Sequence, residues 1–275
     1  MGLLFWGFQI YFLHEKKEAL DTNHEQQNSV SYKGIVTEVD MSQIPVDGPA
    51  RITFTENGNT HMISVSSMGR NLCAAKDRVA DPYTVAIGDM IAVAGELEGD
   101  TIIPCRDVKH YFHVRSEYKN TAFGFSFIYE KSPQGFTVQE ILKDQDAGKD
   151  FAFGVILTEQ SEFGIPNDIP HEEPPIIGMK VFKNTQKESV SVWAMNHSKE
   201  LNSTTILGGI DEIEVGGVNA VHFIADGLYA TETYVVAHGD FVYVITGAYI
   251  QDDSYIHHAF ASVVESFSFI SQESE

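Results

Sequence analysis

The C-terminal stretch from Asp226 to Ile270 decides the fold of this chain: DGLYATETYVVAHGDFVYVITGAYIQDDSYIHHAFASVVESFSFI. Two runs rich in β-branched and aromatic residues, Thr231 to Ala237 and Phe241 to Ala248, flank the short segment His238-Gly239-Asp240. Strand-forming runs on either side of a short turn that contains glycine predict a β-hairpin. The second run has apolar side chains at both odd and even positions, so both of its faces need cover, and we expect a central strand.

A capped helix is predicted directly after the hairpin. Its start is marked by Asp252, Asp253 and Ser254, since short polar side chains accept hydrogen bonds from the free N–H groups of a first helical turn. Its apolar stripe consists of Ile256, Phe260, Val263, Val264 and Phe267. The closing residues FSFI (267–270) are expected to rejoin the same sheet as a short strand.

Three further segments extend this second half of the chain. In FGFSFIYE (123–130) the aromatic residues alternate with smaller ones, so one face of a strand is aromatic and must be covered by helices or by a second sheet. A helix is predicted after Ser189, with rough helical spacing of Val192, Met195 and Leu201. The run DEIEVGGVNAVHFIADG (211–227) predicts a strand, a Gly-Gly turn and a second strand.

The order of these elements resembles the PsbP-like family, named for an extrinsic subunit of photosystem II. The matching residues are FGFSFIYE (123–130), YVVAHGDFVYVITGAYI (234–250) and YIHHAFASVVESFSF (255–269). The resemblance implies an α/β/α arrangement around an antiparallel sheet, an extracytoplasmic location, and a binding or assembly role. The photosynthetic role is not expected to transfer, because this chain adds a barrel and lacks a match to that subunit's partner-binding tail.

The first half predicts a small β-barrel. Short alternating runs occur at 30–39, 50–55, 60–65, 89–97, 100–105 and 107–114, and turn residues such as Asn57-Gly58 separate them. A long interruption between the third and fourth runs matches the plan of an OB-fold, and VAIGDMIAVAGELEGDTIIPCRDV (85–108) resembles the late strands of bacterial OB-like domains. The expected fold class is therefore α+β, with an OB-like barrel at 30–115 and a PsbP-like domain at 116–275.

The charge of the chain argues against nucleic acid as a partner. There are 18 Lys and Arg against 39 Asp and Glu, which gives a formal net charge of −21. Affinity for nucleic acid depends on cationic side chains that displace counterions, and an acidic surface also repels anionic lipid headgroups. Residues 116–275 hold 24 Asp or Glu against 8 Lys and no Arg, so this half is a poor candidate for binding anionic metabolites.

The N-terminal segment 1–29 is read as an apolar anchor or signal remnant followed by a polar linker. Gly2 to Leu13 contains Gln9 as its one polar residue, and a bilayer span needs about 20 apolar residues. We expect an uncleaved membrane anchor whose first residues lie upstream of this start. The alternative is an apolar strand or helix docked on the fold.

Few residues offer chemistry. The two cysteines, Cys73 and Cys105, allow either one disulfide or two buried thiols. Asp144, Asp146 and Asp150 form an acidic loop that is a weak candidate for calcium, because it fails the EF-hand pattern at two positions.

The two adjacent histidines of the predicted helix are expected to be solvent-exposed, and the histidine of the hairpin turn to be structural. His257 and His258 point about 100° apart on a helix and cannot readily grip one metal ion, while His238 lies in the hairpin turn. HEEPP (171–175) lacks the second histidine of a zinc-protease motif and carries prolines that forbid its helix. No nucleophile or phosphate-binding signature is present, so we expect no catalytic residue and no cofactor.

The sequence therefore predicts a bacterial cell-envelope protein that is extracytoplasmic, tethered by its N-terminal segment and non-catalytic. Its partner is an unidentified protein or a small ligand. Two alternatives stay open at this point, namely a hydrolase with its site between the two domains and a calcium-dependent structural module.

Overall fold

The computed structural model describes residues 29–66, 73–142, 150–161, 174–197, 201 and 206–270. Over these residues the chain is mostly β, with fifteen strands in two sheets and two helices. The expected N-terminal anchor, the aspartates at 144 and 146 and residues 171–173 of HEEPP lie outside the described residues.

The first half closes into a five-stranded barrel. Its strands are β1 (Ser29–Asp40), β2 (Ala50–Glu56), β3 (Asn59–Val65), β4 (Met90–Glu98) and β5 (Thr101–Ile103). They run in the order β1-β2-β3-β5-β4, and β4 pairs back onto β1, while β3 and β5 are parallel. The barrel expected from the sequence, with its interruption between the third and fourth strands, is thus confirmed.

A glycine allows β1 to turn the corner of the barrel. The first part of β1 pairs with β4 and the second part with β2, so the strand must bend between them. At the bend, a Cβ on Gly34 would lie 2.4 Å from the carbonyl oxygen of Thr55, which no larger residue could tolerate. The barrel core is filled by residues that are fully or almost fully buried: Val36, Ile52, Phe54, Ile63, Val93, Ile102, Phe112 and Val114.

The barrel sheet continues into the second half of the chain through one long strand. β6 (Tyr111–Asn120) pairs with β4 along residues 111–115 and with β7 (Phe125–Ser132) along residues 114–120. The expected division between residues 115 and 116 therefore falls inside β6. β15 (Ser268–Phe269) pairs with β7, so the closing strand joins this first sheet, and the prediction that it would rejoin the sheet of the hairpin was wrong.

The second sheet has seven antiparallel strands. They are β8 (Phe136–Leu142), β9 (Phe151–Glu159), β10 (Ile177–Lys183), β11 (Ile206–Val215), β12 (Val218–Ala225), β13 (Ala230–His238) and β14 (Phe241–Tyr249). The order is β11-β12-β13-β14-β10-β9-β8, which places β14 in the centre as its two apolar faces predict. The hairpin of β13 and β14 turns at Gly239, whose φ of +59° suits a glycine.

Each face of the second sheet carries one of the described helices. Helix α2 (Tyr255–Ser266) covers one face and packs against the aromatic residues of β7. Its predicted cap is confirmed, because the Ser254 hydroxyl accepts a hydrogen bond from the His257 N–H. Gly247 makes this close approach feasible, since a Cβ there would lie 2.4 Å from Cγ of Phe260.

Helix α1 (Val190–Asn196) covers the opposite face with an unexpected set of side chains. Trp193 is 1% exposed and packs on Phe182, whereas Val192 and Met195 are 41% and 65% exposed. The predicted stripe was therefore wrong at these two positions, although Leu201 is buried as expected. A two-turn helix buries only one side, and the indole offers the largest apolar area, so burial of Trp193 fixes the orientation.

Candidate functional site: a groove between the barrel and helix α2

A groove runs along the outside of the barrel and continues under helix α2. Its barrel end has a volume of about 720 Å³ and its helix end about 750 Å³. The two ends share four lining residues, Arg78, His113, Arg115 and Ile128, so they form one concave surface. These volumes lie in the range of small-molecule sites.

The barrel end combines apolar walls with positive charge. Its apolar residues come from β1, β4 and β7 and include Ile35, Met90 and Ile128. The fully charged residues that line it are three cations, Lys33, Arg78 and Arg115, and one carboxylate, Glu56. This patch is therefore positively charged in a chain whose formal net charge is −21.

Arg78 is held in place without a carboxylate. Its guanidinium lies 5.8 Å from the centre of the Tyr111 ring and donates a hydrogen bond of 3.3 Å to the carbonyl oxygen of Val108. The Tyr111 hydroxyl is in turn 2.9 Å from the hydroxyl of Ser31. Within the described part of the chain, no acidic side chain forms an ion pair with Arg78 or with Lys33, so both cations are available to pair with an anionic ligand.

The middle of the groove is organised by one carboxylate. Glu130, on β7, accepts a hydrogen bond of 3.0 Å from Nε of Arg115 and lies 3.1 Å from Nδ1 of His113. Its side chain is 13% exposed, whereas that of Arg115 is 57% exposed. Because this bond uses one of the five guanidinium N–H groups, Arg115 is oriented by Glu130 while most of its donors face outward.

The helix end is lined by one side of α2, including Tyr255, His258, Ala259 and Ser262. The Tyr255 ring stacks on Phe136 with 5.6 Å between ring centres, and its hydroxyl donates a hydrogen bond to the carbonyl oxygen of Gln134. Burial, and then the charges of Glu130 and Glu159, raise the pKa of Tyr255 above its ordinary value, so the phenol stays neutral. At the other end of the helix, the hydroxyl of Ser266 accepts a bond from the N–H of Ile128.

A buried ion pair joins the turn before β4 to β7. Asp89 is 4% exposed and lies 2.9 Å from Nζ of Lys131. Its carboxylate also accepts bonds from the hydroxyl of Ser116 at 2.8 Å and from the N–H of Ala86 at 2.7 Å. The bond to Ala86 stays within the turn before β4, whereas the bonds to Ser116 and Lys131 tie this turn to β6 and β7.

The structure places the residues that the sequence analysis singled out at separate sites. Cys73 and Cys105 form a disulfide that joins the segment before β4 to the segment after β5. Asp150 lies directly before β9, and its carbonyl oxygen accepts a hydrogen bond from the N–H of Lys183. His238 is exposed in the hairpin and stacks on Phe269 at 4.0 Å.

The two adjacent histidines behave differently. His258 is exposed and lines the helix end of the groove, as the prediction of a solvent-exposed residue requires. His257 is 24% exposed, and both of its ring nitrogens have partners, so the prediction was wrong for this residue. Among the residues with described positions, no group of three or more His, Cys, Asp or Glu is arranged to hold a metal ion.

The sequence analysis did not anticipate the groove, because its residues come from segments far apart in the chain. One signal was present: His113 and Arg115 alternate on one face of a strand, and that strand pairs with β7 so that Arg115 lies opposite Glu130. Without the register of β6 and β7, the partner of the two basic residues could not be chosen among 39 acidic residues.

No helix in the described ranges is both long and apolar enough to cross a membrane.

Comparisons with known proteins gave structural matches alone. No protein-family model matches the chain, and no curated protein matches it in sequence.

The solved structures that match include the solution structure of the cyanobacterial PsbP (CyanoP) from Synechocystis sp. PCC 6803. It is 11% identical, with 56% of this chain and 92% of that chain covered and a TM-score of 0.40. A crystal structure from Bacteroides thetaiotaomicron VPI-5482 is 10% identical, with 58% and 50% covered and a TM-score of 0.33. LpqN, described as involved in cell envelope biogenesis of Mycobacterium tuberculosis, is 15% identical, with 57% and 92% covered and a TM-score of 0.30. A PsbP is thus among the matches. The identities and TM-scores are too low to assign a family or a function to this chain.

Proposed function

We propose that this chain is a non-catalytic binding module of the bacterial cell envelope, with an OB-like barrel and a PsbP-like second domain. It holds a ligand that carries an anionic group beside an apolar moiety, and the ligand occupies the barrel end of the groove. The observation that carries the proposal is the charge there: Lys33 and Arg78 lack carboxylate partners within the described residues, in a protein whose net charge is −21.

The wall composition supports this class of ligand. A carboxylate, sulfonate or phosphate gains charge-assisted bonds from guanidinium and ammonium groups, while Ile35, Met90 and Ile128 offer apolar area to the rest of the molecule. A polyanion such as nucleic acid would meet the acidic surface around this limited patch and be repelled. A small amphipathic anion is therefore favoured.

Geometry also favours binding over hydrolysis. His113, the histidine in the middle of the groove, has Glu130 as its hydrogen-bond partner, and no described hydroxyl is bonded to it as a nucleophile would be. Ser266 lines the groove, but its hydroxyl is engaged with the backbone of Ile128 and of the preceding helical turn. Among the described residues of the groove, neither His113 nor Ser266 therefore offers the nucleophile and base pair that a hydrolase would need.

Location outside the cytoplasm is part of the proposal. The Cys73–Cys105 disulfide supports it, because disulfides persist mainly in oxidising compartments. The apolar segment at 2–13 supports tethering to the membrane. A reporter enzyme active solely in the cytoplasm, fused after Glu275, is expected to be inactive in cells, and an active fusion would contradict export.

The ligand class can be tested with a pair of fluorescent probes that differ in charge. 8-Anilinonaphthalene-1-sulfonate carries a sulfonate, and N-phenyl-1-naphthylamine is its neutral counterpart. The variant Lys33→Gln/Arg78→Gln removes the two cations, while Arg51→Gln/Lys109→Gln removes two exposed cations elsewhere on the first half of the chain.

We expect the sulfonate probe to bind the unchanged protein more tightly than the neutral probe. The groove variant should weaken the sulfonate probe about tenfold or more, since one lost charge contact of about 1.4 kcal/mol corresponds to a factor of ten. The control variant should keep most of the affinity. Equal losses in both variants would show that net charge alone attracts the probe, and equal binding of both probes would remove the case for an anionic ligand.

A further inference from the structure

A second cluster of titratable groups lies on the far side of helix α2 from the groove. Its centre is Glu232, on β13, whose side chain is 12% exposed. One carboxylate oxygen accepts a bond of 2.6 Å from the hydroxyl of Tyr234 and lies 2.8 Å from Nε2 of His222 on β12. The other lies 3.1 Å from Nε2 of His257, in the first turn of α2.

The geometry at His257 specifies its protonation state. Nδ1 is 2.7 Å from the carbonyl oxygen of Asp252, which can only accept, so Nδ1 must carry a proton. Nε2 faces a carboxylate oxygen of Glu232, which also accepts. Both contacts are hydrogen bonds only when both nitrogens are protonated, and the ring is then a cation. His222 differs, because its bond to Glu232 can form in the neutral tautomer.

We infer that Glu232 and His257, with His222 as a supporting donor, form a proton-operated latch that holds the start of helix α2 on the second sheet. When His257 is protonated, one charged and one neutral acceptor fix its ring. When the proton on Nε2 leaves, a lone pair faces the Glu232 carboxylate and the contact becomes repulsive.

The surroundings fit this role. Burial by itself disfavours the cation and lowers the pKa of His257, but the bonds to the Asp252 carbonyl and to Glu232 outweigh it, so the pKa is raised above the ordinary 6.5. The Tyr249 ring stacks on His257 at 4.0 Å. For Tyr234, burial and then the bond to Glu232 raise the pKa, so this phenol keeps its proton over the range in which the latch works.

The charged and titratable groups around the latch come from every element packed against it. They are Asp211 on β11, His222 on β12, Glu232 and Tyr234 on β13, Tyr249 on β14, Asp252 before α2, and His257 and His258 on α2. Asp211 contributes weakly, because its carboxylate is 3.9 Å from His222 and 79% exposed. The Glu232 carboxylate on one side and the Asp252 carbonyl on the other thus favour a cation at His257.

The latch also bears on the groove, because the same helix presents Tyr255, His258, Ala259 and Ser262 to the helix end. Release of the first turn would loosen this wall. This consequence rests on the proposed function, whereas the latch itself does not.

The sign of the pH effect follows from the raised pKa. A histidine whose pKa is higher in the folded state stabilises the fold fully below the unfolded value of about 6.5, and this stabilisation is lost as the pH rises through the folded value. The stability of the protein should therefore fall as the pH rises from 6 to 8 by an amount that depends on His257.

The test compares the unchanged protein with His257→Gln and with the matched control His258→Gln, which alters the neighbouring exposed ring. Unfolding midpoints in urea are measured between pH 5.5 and 8.5, and the ring protons of each histidine are titrated by NMR. We expect His257 to titrate above 6.5, and the fall in midpoint to disappear in His257→Gln and to persist in His258→Gln. In Glu232→Gln, the His257 pKa should drop.

Two results would overturn the latch. One is titration of His257 at or below its ordinary value in the unchanged protein. The other is a midpoint profile that is the same in His257→Gln and in the unchanged protein. Neither measurement needs a ligand, so failure of the sulfonate probe to bind would count against the proposed function and leave the latch to be judged by these data.

Discussion

Removal of the Asp89 carboxylate should destabilise the whole protein, since this group joins the barrel to β7. The side chain is 4% exposed and accepts three bonds, from Lys131, Ser116 and Ala86. Breaking a buried ion pair by removing one partner costs about 3–5 kcal/mol, because the other charge stays buried. Lys131 is 23% exposed and can turn towards water, so we expect the lower end, about 3 kcal/mol, for Asp89→Ala.

Lys131→Met should cost about as much as Asp89→Ala. The buried carboxylate keeps two of its three donors but loses its counter-charge, and we expect a loss of about 3 kcal/mol. The double variant should be destabilised by less than the sum of the two single changes, with a coupling energy of about 1–3 kcal/mol for groups in direct contact.

The assay is urea unfolding followed by far-ultraviolet circular dichroism, with Asp100→Ala as the matched control. Asp100 is exposed in the turn between β4 and β5, and a change there should stay within about 0.5 kcal/mol. If Asp89→Ala also stays within about 1 kcal/mol of the unchanged protein, or if the single changes are additive, the reasoning about this junction is refuted.

Two further predictions concern the packing of α2 and the disulfide. Gly247→Ala should destabilise the protein by about 1–3 kcal/mol in the same assay, because the new methyl group would overlap Phe260. The control Gly227→Ala should be tolerated, because its Cβ meets nothing closer than 3.4 Å. Equal effects of the two changes would show that α2 adjusts freely. Reduction of the Cys73–Cys105 disulfide, which spans a sequence separation of 32, should cost about 4 kcal/mol from the freed unfolded chain, so dithiothreitol should lower the urea midpoint; an unchanged midpoint would contradict this.

The elements that sequence analysis predicted correctly are those whose information is local. The hairpin of β13 and β14 needs only two strand-forming runs and a glycine at the turn, and α2 needs only a cap at Ser254 and an apolar stripe. The barrel likewise follows from alternation and turn residues. In each case, the periodicity of the side chains and the chemistry of the turn act over fewer than about 15 residues.

The elements that were missed depend on pairing between distant segments. The closing strand is too short for its own pattern to select a sheet, and the register that places Ser268 opposite Ser126 is fixed by how α2 lies on β7. The orientation of α1 depends on a pocket for Trp193 that the second sheet supplies.

The polar sites are harder still to predict, because they are made by tertiary contacts. Glu232 alternates along β13 like any half-buried strand residue, and only the approach of β12 and α2 brings His222 and His257 to it. Both adjacent histidines are predicted to be solvent-exposed, but the helix turns His257 towards the sheet and His258 towards the groove. The two rings must be considered separately once the helix has a defined neighbour on each side.

The single strand β6 has a consequence for how this protein can be divided. Its first residues complete the ladder with β4, and the following ones complete the ladder with β7. A chain severed between residues 115 and 116 would leave both pieces with raw, unpaired edges of the kind that drive aggregation. We therefore expect the two halves to be produced in soluble form only when β6 is kept whole.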